Sequence, residues 1–129
     1  MAHMLVIEDD VQFRDTLQQM LTRDGHQVTI ATDGSEALQL LKTVRPELII
    51  TDILMPKMDG IEIIMELRRL GSDTPIIAMS GGGRSIASDT ALGAAEPMGA
   101  KATLVKPFSR SELRKAISEA LAATRAAVG

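Results

Sequence analysis

The sequence predicts an α/β fold, a three-layer arrangement in which helices cover both faces of a doubly wound, five-stranded parallel sheet. Three observations carry that expectation. Short apolar runs alternate five times with longer stretches of helical periodicity. Successive runs begin about 20 to 28 residues apart, which leaves room for a crossover helix each time, so the strands should be parallel. One run, Leu48-Ile49-Ile50, is apolar at consecutive positions, as a strand buried on both faces must be.

The first strand is expected over 4–8 and the first helix over 11–23, where Phe13, Leu17, Met20 and Leu21 share one face. A strand at 27–31 leads to a helix over 35–44 with Ala37, Leu38, Leu41 and Val44 inward. The third strand, 48–52, runs into a loop broken by Pro56 and Gly60 before a helix over 60–70. In that helix Ile63, Ile64, Leu67 and Leu70 form the apolar stripe, while Glu62, Glu66, Arg68 and Arg69 face water. A strand at 76–80 precedes a helix candidate at 88–98, which Gly81 to Gly83 and Pro97 make the weakest of the set, in a segment expected to be mobile. The fifth strand covers 102–105, and the last helix, 110–123, turns Leu113, Ile117, Ala120 and Leu121 to the sheet. Ser109 and Glu112 form a capping box at its start, and Gly25, Gly71 and Gly99 fall where helices end.

At 129 residues, with 45% hydrophobic and 24% charged residues, the chain is one globular domain with enough apolar content for a core. It has no apolar run of membrane-spanning length and no signal peptide pattern. The lack of cysteine removes disulfides and thiolate metal sites and fits a cytoplasmic location. A net charge of −3, no Trp or Tyr and two Phe offer neither a basic surface nor a stacking platform for nucleic acid. The eight methionines read mostly as core fillers, with Met55 and Met58 part of the loop after the third strand, and His3 and His26 read as surface residues.

Polar groups follow directly after the apolar runs, and in a doubly wound sheet those ends share one edge, where ligands bind. They are Glu8-Asp9-Asp10, Asp52, Ser80 and Lys106. Asp52 is the candidate nucleophile, since a carboxylate can attack a phosphoryl group to form an acyl phosphate. Its bland alternative is a turn or capping Asp, a role better suited to Asp59.

With Asp9-Asp10, Asp52 inside Asp52-Ile53-Leu54-Met55-Pro56-Lys57-Met58-Asp59-Gly60, Ser80 and Lys106-Pro107-Phe108, the chain resembles the receiver domain of two-component response regulators over about residues 4–122. The resemblance implies a flavodoxin-like strand order of 2-1-3-4-5 and a phosphoacceptor at Asp52. It further implies Mg²⁺ held by Asp10, Asp52 and the backbone carbonyl of Leu54, with Asp9 acting through water and Glu8 on the same acidic rim. Such a cation answers a charge problem, because clustered carboxylates repel one another and an incoming phosphoryl group adds to the repulsion. Lys106 would meet the phosphoryl oxygens, aimed by a cis bond to Pro107, and Ser80 would donate its hydroxyl and shift on phosphorylation.

The donor implied is a sensor histidine kinase or a histidine phosphotransfer protein, and the output a protein–protein contact near the fourth helix and fifth strand. Residues 1–3 read as a prelude, 4–124 as the domain and 125–129 as a tail, with no output domain. There are two departures from the family pattern. Thr103 stands where an aromatic residue is usual, and the stretch from Ser80 to Lys106 is about four residues long in excess, around Gly81-Gly82-Gly83-Arg84. A glycine loop that orders on phosphorylation could replace the aromatic rotamer change. Leu54 and Gly82 offer nothing polar to place a hydrolytic water, so the phosphoryl group is expected to be long-lived. An Asp-nucleophile phosphatase would need a second acid at position 54, where this chain has leucine. The remaining alternative is a phosphorylation-independent module of the same fold.

Overall fold

A computed structural model describes residues 2–53, 60–81 and 100–128. Its elements are β1 (His3–Ile7), α1 (Val11–Arg23), β2 (Gln27–Ala31), α2 (Gly34–Leu40), β3 (Leu48–Asp52), α3 (Gly60–Arg69), β4 (Ile76–Ser80), β5 (Ala102–Val105) and α4 (Arg110–Val128). All strand pairs are parallel, and the sheet order is β2-β1-β3-β4-β5. The helix candidate at 88–98, with Pro97, Gly82, Gly83 and Gly99, lies outside the described residues, as do Leu54, Met55, Met58 and Asp59.

Strand alternation divides the core in two. Met4, Val6, Leu48, Ile50, Ile77, Met79, Ala102 and Leu104 pack against Leu17 and Leu21 of α1 and Leu113, Ile117 and Ala120 of α4. Their neighbours Leu5, Ile7, Ile49, Ile76 and Ala78 pack on the other face against Ala37 of α2 and Ile63, Ile64 and Leu67 of α3. This two-sided demand is why β3 and β4 read as unbroken apolar runs, and every residue of both strands is buried.

The helix ends follow local chemistry. Asp33 caps α2, Ser109 and Glu112 exchange both bonds of their capping box at 3.0 Å, and Gly25 and Gly71 take positive φ of 88° and 78° just past α1 and α3. Leu70 still donates to the Glu66 carbonyl at 3.0 Å, but it lies at the very end of the helix and is 63% exposed, so it does not extend the buried stripe of α3. Arg68, expected in water, turns back and donates to the backbone carbonyls of Ser72 and Thr74. α2 stops at Leu40, four residues before the expected end, and α4 runs on to Val128 because nothing in its alanine-rich end breaks it. His3 joins β1 rather than a prelude. Its Nε2 lies 2.7 Å from the Thr29 hydroxyl, while His26 Nδ1 accepts from the Ala2 N–H, so both histidines are half-buried and bonded rather than surface residues.

Candidate functional site

The carboxyl ends of β1, β3 and β5 lie on the same edge of the sheet, and the period of two selects which side chains meet there. In β1 the buried face carries Met4 and Val6, so the next position on it is Glu8. In β3 the same face carries Leu48 and Ile50, and Asp52 follows; in β5 it carries Ala102 and Leu104, and Lys106 follows. The three continue one set of core side chains to the carboxyl edge of the sheet, Asp52 as the last residue of β3 and Glu8 and Lys106 just beyond β1 and β5. Glu8 is fully buried and Asp52 is 7% exposed. Lys106 Nζ donates to Asp52 Oδ2 at 3.0 Å and pairs with Glu8 Oε1. Asp9, on the exposed side, completes the group: one carboxylate oxygen each from Glu8, Asp9 and Asp52 lie within 4.8 Å of one another.

Asp10 is not part of this convergence. It is the N-cap of α1, and its Oδ1 accepts from the Phe13 N–H at 3.2 Å. The acidic triplet is thus shifted by one residue from the expected arrangement. Glu8 is the inward acid, Asp9 its partner at the rim, and Asp10 starts the helix. Alternation from Met4 and Val6, together with cap spacing to Phe13, is the signal in the sequence that points to Glu8.

Ser80 ends β4 at 2% exposure, one position beyond the Met79 that pairs with Asp52, and its carbonyl accepts from the Lys106 N–H at 2.9 Å. The Lys106–Pro107 peptide is cis, as expected. Thr103 lies on β5 beside Ala78 and is half-buried. The Leu54 carbonyl falls outside the described residues.

Negative charge is in excess at this edge. Burial pushes the Glu8 carboxyl up to about 7, and the nearby Asp52 charge adds to the rise although the Lys106 contact pulls the other way. Burial also works against the charge of Lys106, but its contacts with Glu8 and Asp52 outweigh this and hold the ammonium above its ordinary value. Both groups hold their protons more tightly, Glu8 chiefly because it is buried and Lys106 because two carboxylates face it. Three oxygen donors of this kind suit a hard divalent cation such as Mg²⁺, so the donor set fits the metal implied by the sequence.

Sheet order and site composition together are those of a receiver domain. The response regulator receiver domain family matches residues 4–118, and the chain belongs to it. It is similar to response regulator MprA of Mycolicibacterium vanbaalenii, 37% identical over 112 residues, which are 87% of this chain and 47% of that protein. The chain therefore spans about half the length of the curated relatives it matches. Among solved structures it is similar to a response regulator receiver domain protein from Clostridium thermocellum, with TM-score 0.86, 27% identity, and coverage of 97% of this chain and 98% of that one. It is also similar to the chemotaxis protein CheY4 of Vibrio cholerae, with TM-score 0.80, 31% identity, and coverage of 94% and 99%. Among the described residues no helix is long and apolar enough to cross a membrane.

Proposed function

We propose that this receiver domain accepts a phosphoryl group on Asp52 from the phosphohistidine of a sensor histidine kinase or a histidine phosphotransfer protein. The observation that carries the reading is the Asp52 carboxylate at the end of β3, beside Glu8 and Asp9 and in contact with Lys106. One Asp52 carboxylate oxygen attacks phosphorus, an O–P bond forms, and the P–N bond breaks with its electron pair returning to the donor imidazole. Glu8, Asp9 and Asp52 would hold Mg²⁺, which when bound offsets the charge of carboxylates and phosphoryl oxygens. Lys106 supplies a mobile cation to those oxygens. Ser80, at the adjacent strand end, donates its hydroxyl to the new group and carries the change into the segment behind it. The protein then signals through protein–protein contacts and turns over no separate substrate.

Intact-mass analysis after incubation with Mg²⁺ and a small acyl-phosphate donor tests the reading. One phosphoryl adduct is expected, absent without Mg²⁺ and absent in Asp52→Asn. A folded, Mg²⁺-binding wild type that gains no adduct from either the small donor or a phosphohistidine protein would favour a phosphorylation-independent module instead.

A further inference from the structure

The sequence contains two phenylalanines and no tyrosine or tryptophan, and both phenylalanines stand at the lysine of the site. The Lys106 ammonium lies over the Phe13 ring, 4.3 Å from its centroid. Phe108, two residues beyond the lysine, meets Phe13 edge to face with ring centroids 5.5 Å apart and planes at 79°. The backbone of Phe13 is held at the start of α1, where Asp10 caps its N–H. One cation and two rings therefore join α1 to the turn after β5.

We propose that Phe13 is a positioning residue for Lys106, its ring forming the wall of a seat that aims the ammonium at Asp52. The inference rests on the phosphoacceptor reading of Asp52. A lysine side chain has much rotamer freedom to lose, and a reacting group that is already held in place spares that loss at the moment of reaction. Carboxylates draw the Lys106 ammonium from one side, and the negative face of the ring draws it from another. The two attractions differ in one respect. Asp52 is consumed as nucleophile, and Glu8 and Asp52 are the acids that would turn to a metal. The ring takes part in neither event, so it keeps its hold on the lysine while the carboxylate contacts are exchanged for phosphoryl oxygens.

Phe13→Leu keeps an apolar side chain on α1 and removes the ring, whereas Phe13→Trp keeps a ring face. Two readouts on the full chain separate positioning from mere packing. In the proton NMR spectrum the ε-methylene of Lys106 is expected upfield of ordinary lysines in wild type and F13W, and at the ordinary position in F13L. At saturating Mg²⁺, phosphoryl uptake from a small acyl phosphate should slow roughly three- to tenfold in F13L and stay near wild type in F13W. Mg²⁺ affinity should be unchanged in both. Should F13L fail to fold, F13M serves as the ring-free variant. An unshifted lysine methylene in wild type, or uptake by the ring-free variant at the wild-type rate, overturns the proposal. If wild type shows the ring-dependent shift yet takes up no phosphoryl group, the phosphoacceptor reading fails and the seat itself stands.

Discussion

Two acid–base clusters in this molecule are built with opposite imbalances. At the carboxyl edge of the sheet Glu8, Asp9 and Asp52 converge, and Lys106 pairs with two of them. At the end of α1 a single carboxylate, Asp24, receives two guanidinium groups. Arg114 grips both of its oxygens, Nε to Oδ2 at 3.0 Å and Nη2 to Oδ1 at 2.7 Å, and Arg110 adds a contact to Oδ1. The titration behaviour divides accordingly. Burial and surplus charge push Glu8 up to about 7, whereas hydrogen bonds from Arg114 and then Arg110 hold Asp24 well below the usual carboxylate range. The second cluster is complete as it stands and ties α1 to α4. The first gathers three carboxylates around one ammonium among the described residues, and such a grouping in a buried row of side chains marks a candidate functional site.

The largest effect should come from removing that ammonium. Lys106→Met leaves the buried Glu8 and Asp52 without their ammonium, and stranding a buried charge in this way costs on the order of 3 kcal/mol. Urea unfolding of the metal-free protein at pH 8 should show this loss, and added Mg²⁺ should restore part of it. The loss should shrink toward pH 5, where Glu8 carries a proton. Equal stability of variant and wild type at pH 8 would mean that Lys106 does not neutralise the cluster.

Removing a carboxylate should act in the other direction. Glu8 titrates near 7 in the folded protein and near 4.5 when unfolded, so between those values the folded state binds more protons. Stability of the metal-free protein should therefore fall as pH rises from about 4.5 to about 7 and remain lower above it. At roughly 1.4 kcal/mol per pH unit the ceiling is about 3 kcal/mol. Glu8→Gln removes this slope: at pH 8 without metal the variant should be the more stable protein, and it should bind Mg²⁺ more weakly. A variant with the wild-type slope would assign the titration to another group.

These two predictions turn on a residue that the sequence nearly concealed. Glu8-Asp9-Asp10 offers three adjacent acids, and which of them faces the core depends on the phase of the strand, set by Met4 and Val6, and on where α1 begins. Composition alone cannot fix a phase of one residue. Asp52 and Lys106 stood in no such ambiguity, since each follows its apolar run as a single charged residue. The five strands, and the four helices among the described residues, were legible because every apolar run had to be covered on both faces, whereas the sheet order came from the family resemblance. Leu70 misled because helical periodicity says which face a residue takes and not whether the core still reaches it at the end of the helix. Asp24 with its two arginines was invisible, for its partners lie 86 and 90 residues away and each looks like an ordinary surface charge. The same holds for Phe13, which fits an apolar stripe in the sequence and turns out to face the lysine of the site.

The smallest effect belongs to the satisfied cluster, and its sign is the sharpest contrast with Glu8. The Asp24 carboxyl is depressed in the folded protein, so below its unfolded value of about 3.8 the unfolded chain binds the extra proton. Its contribution is present above that pH and lost as pH falls through the lower folded value. Asp24→Asn should therefore flatten the acid limb of the stability curve, while Glu8→Gln flattens the limb between about 4.5 and about 7. The Arg110 and Arg114 side chains are 44% and 57% exposed, so water and salt screen the cluster and the loss at neutral pH should be slight. Thermal melts at low and high salt should bring variant and wild type closer as salt rises. If the two melts stay apart by the same interval in high salt, packing of the Asp24 turn rather than its charge joins α1 to α4.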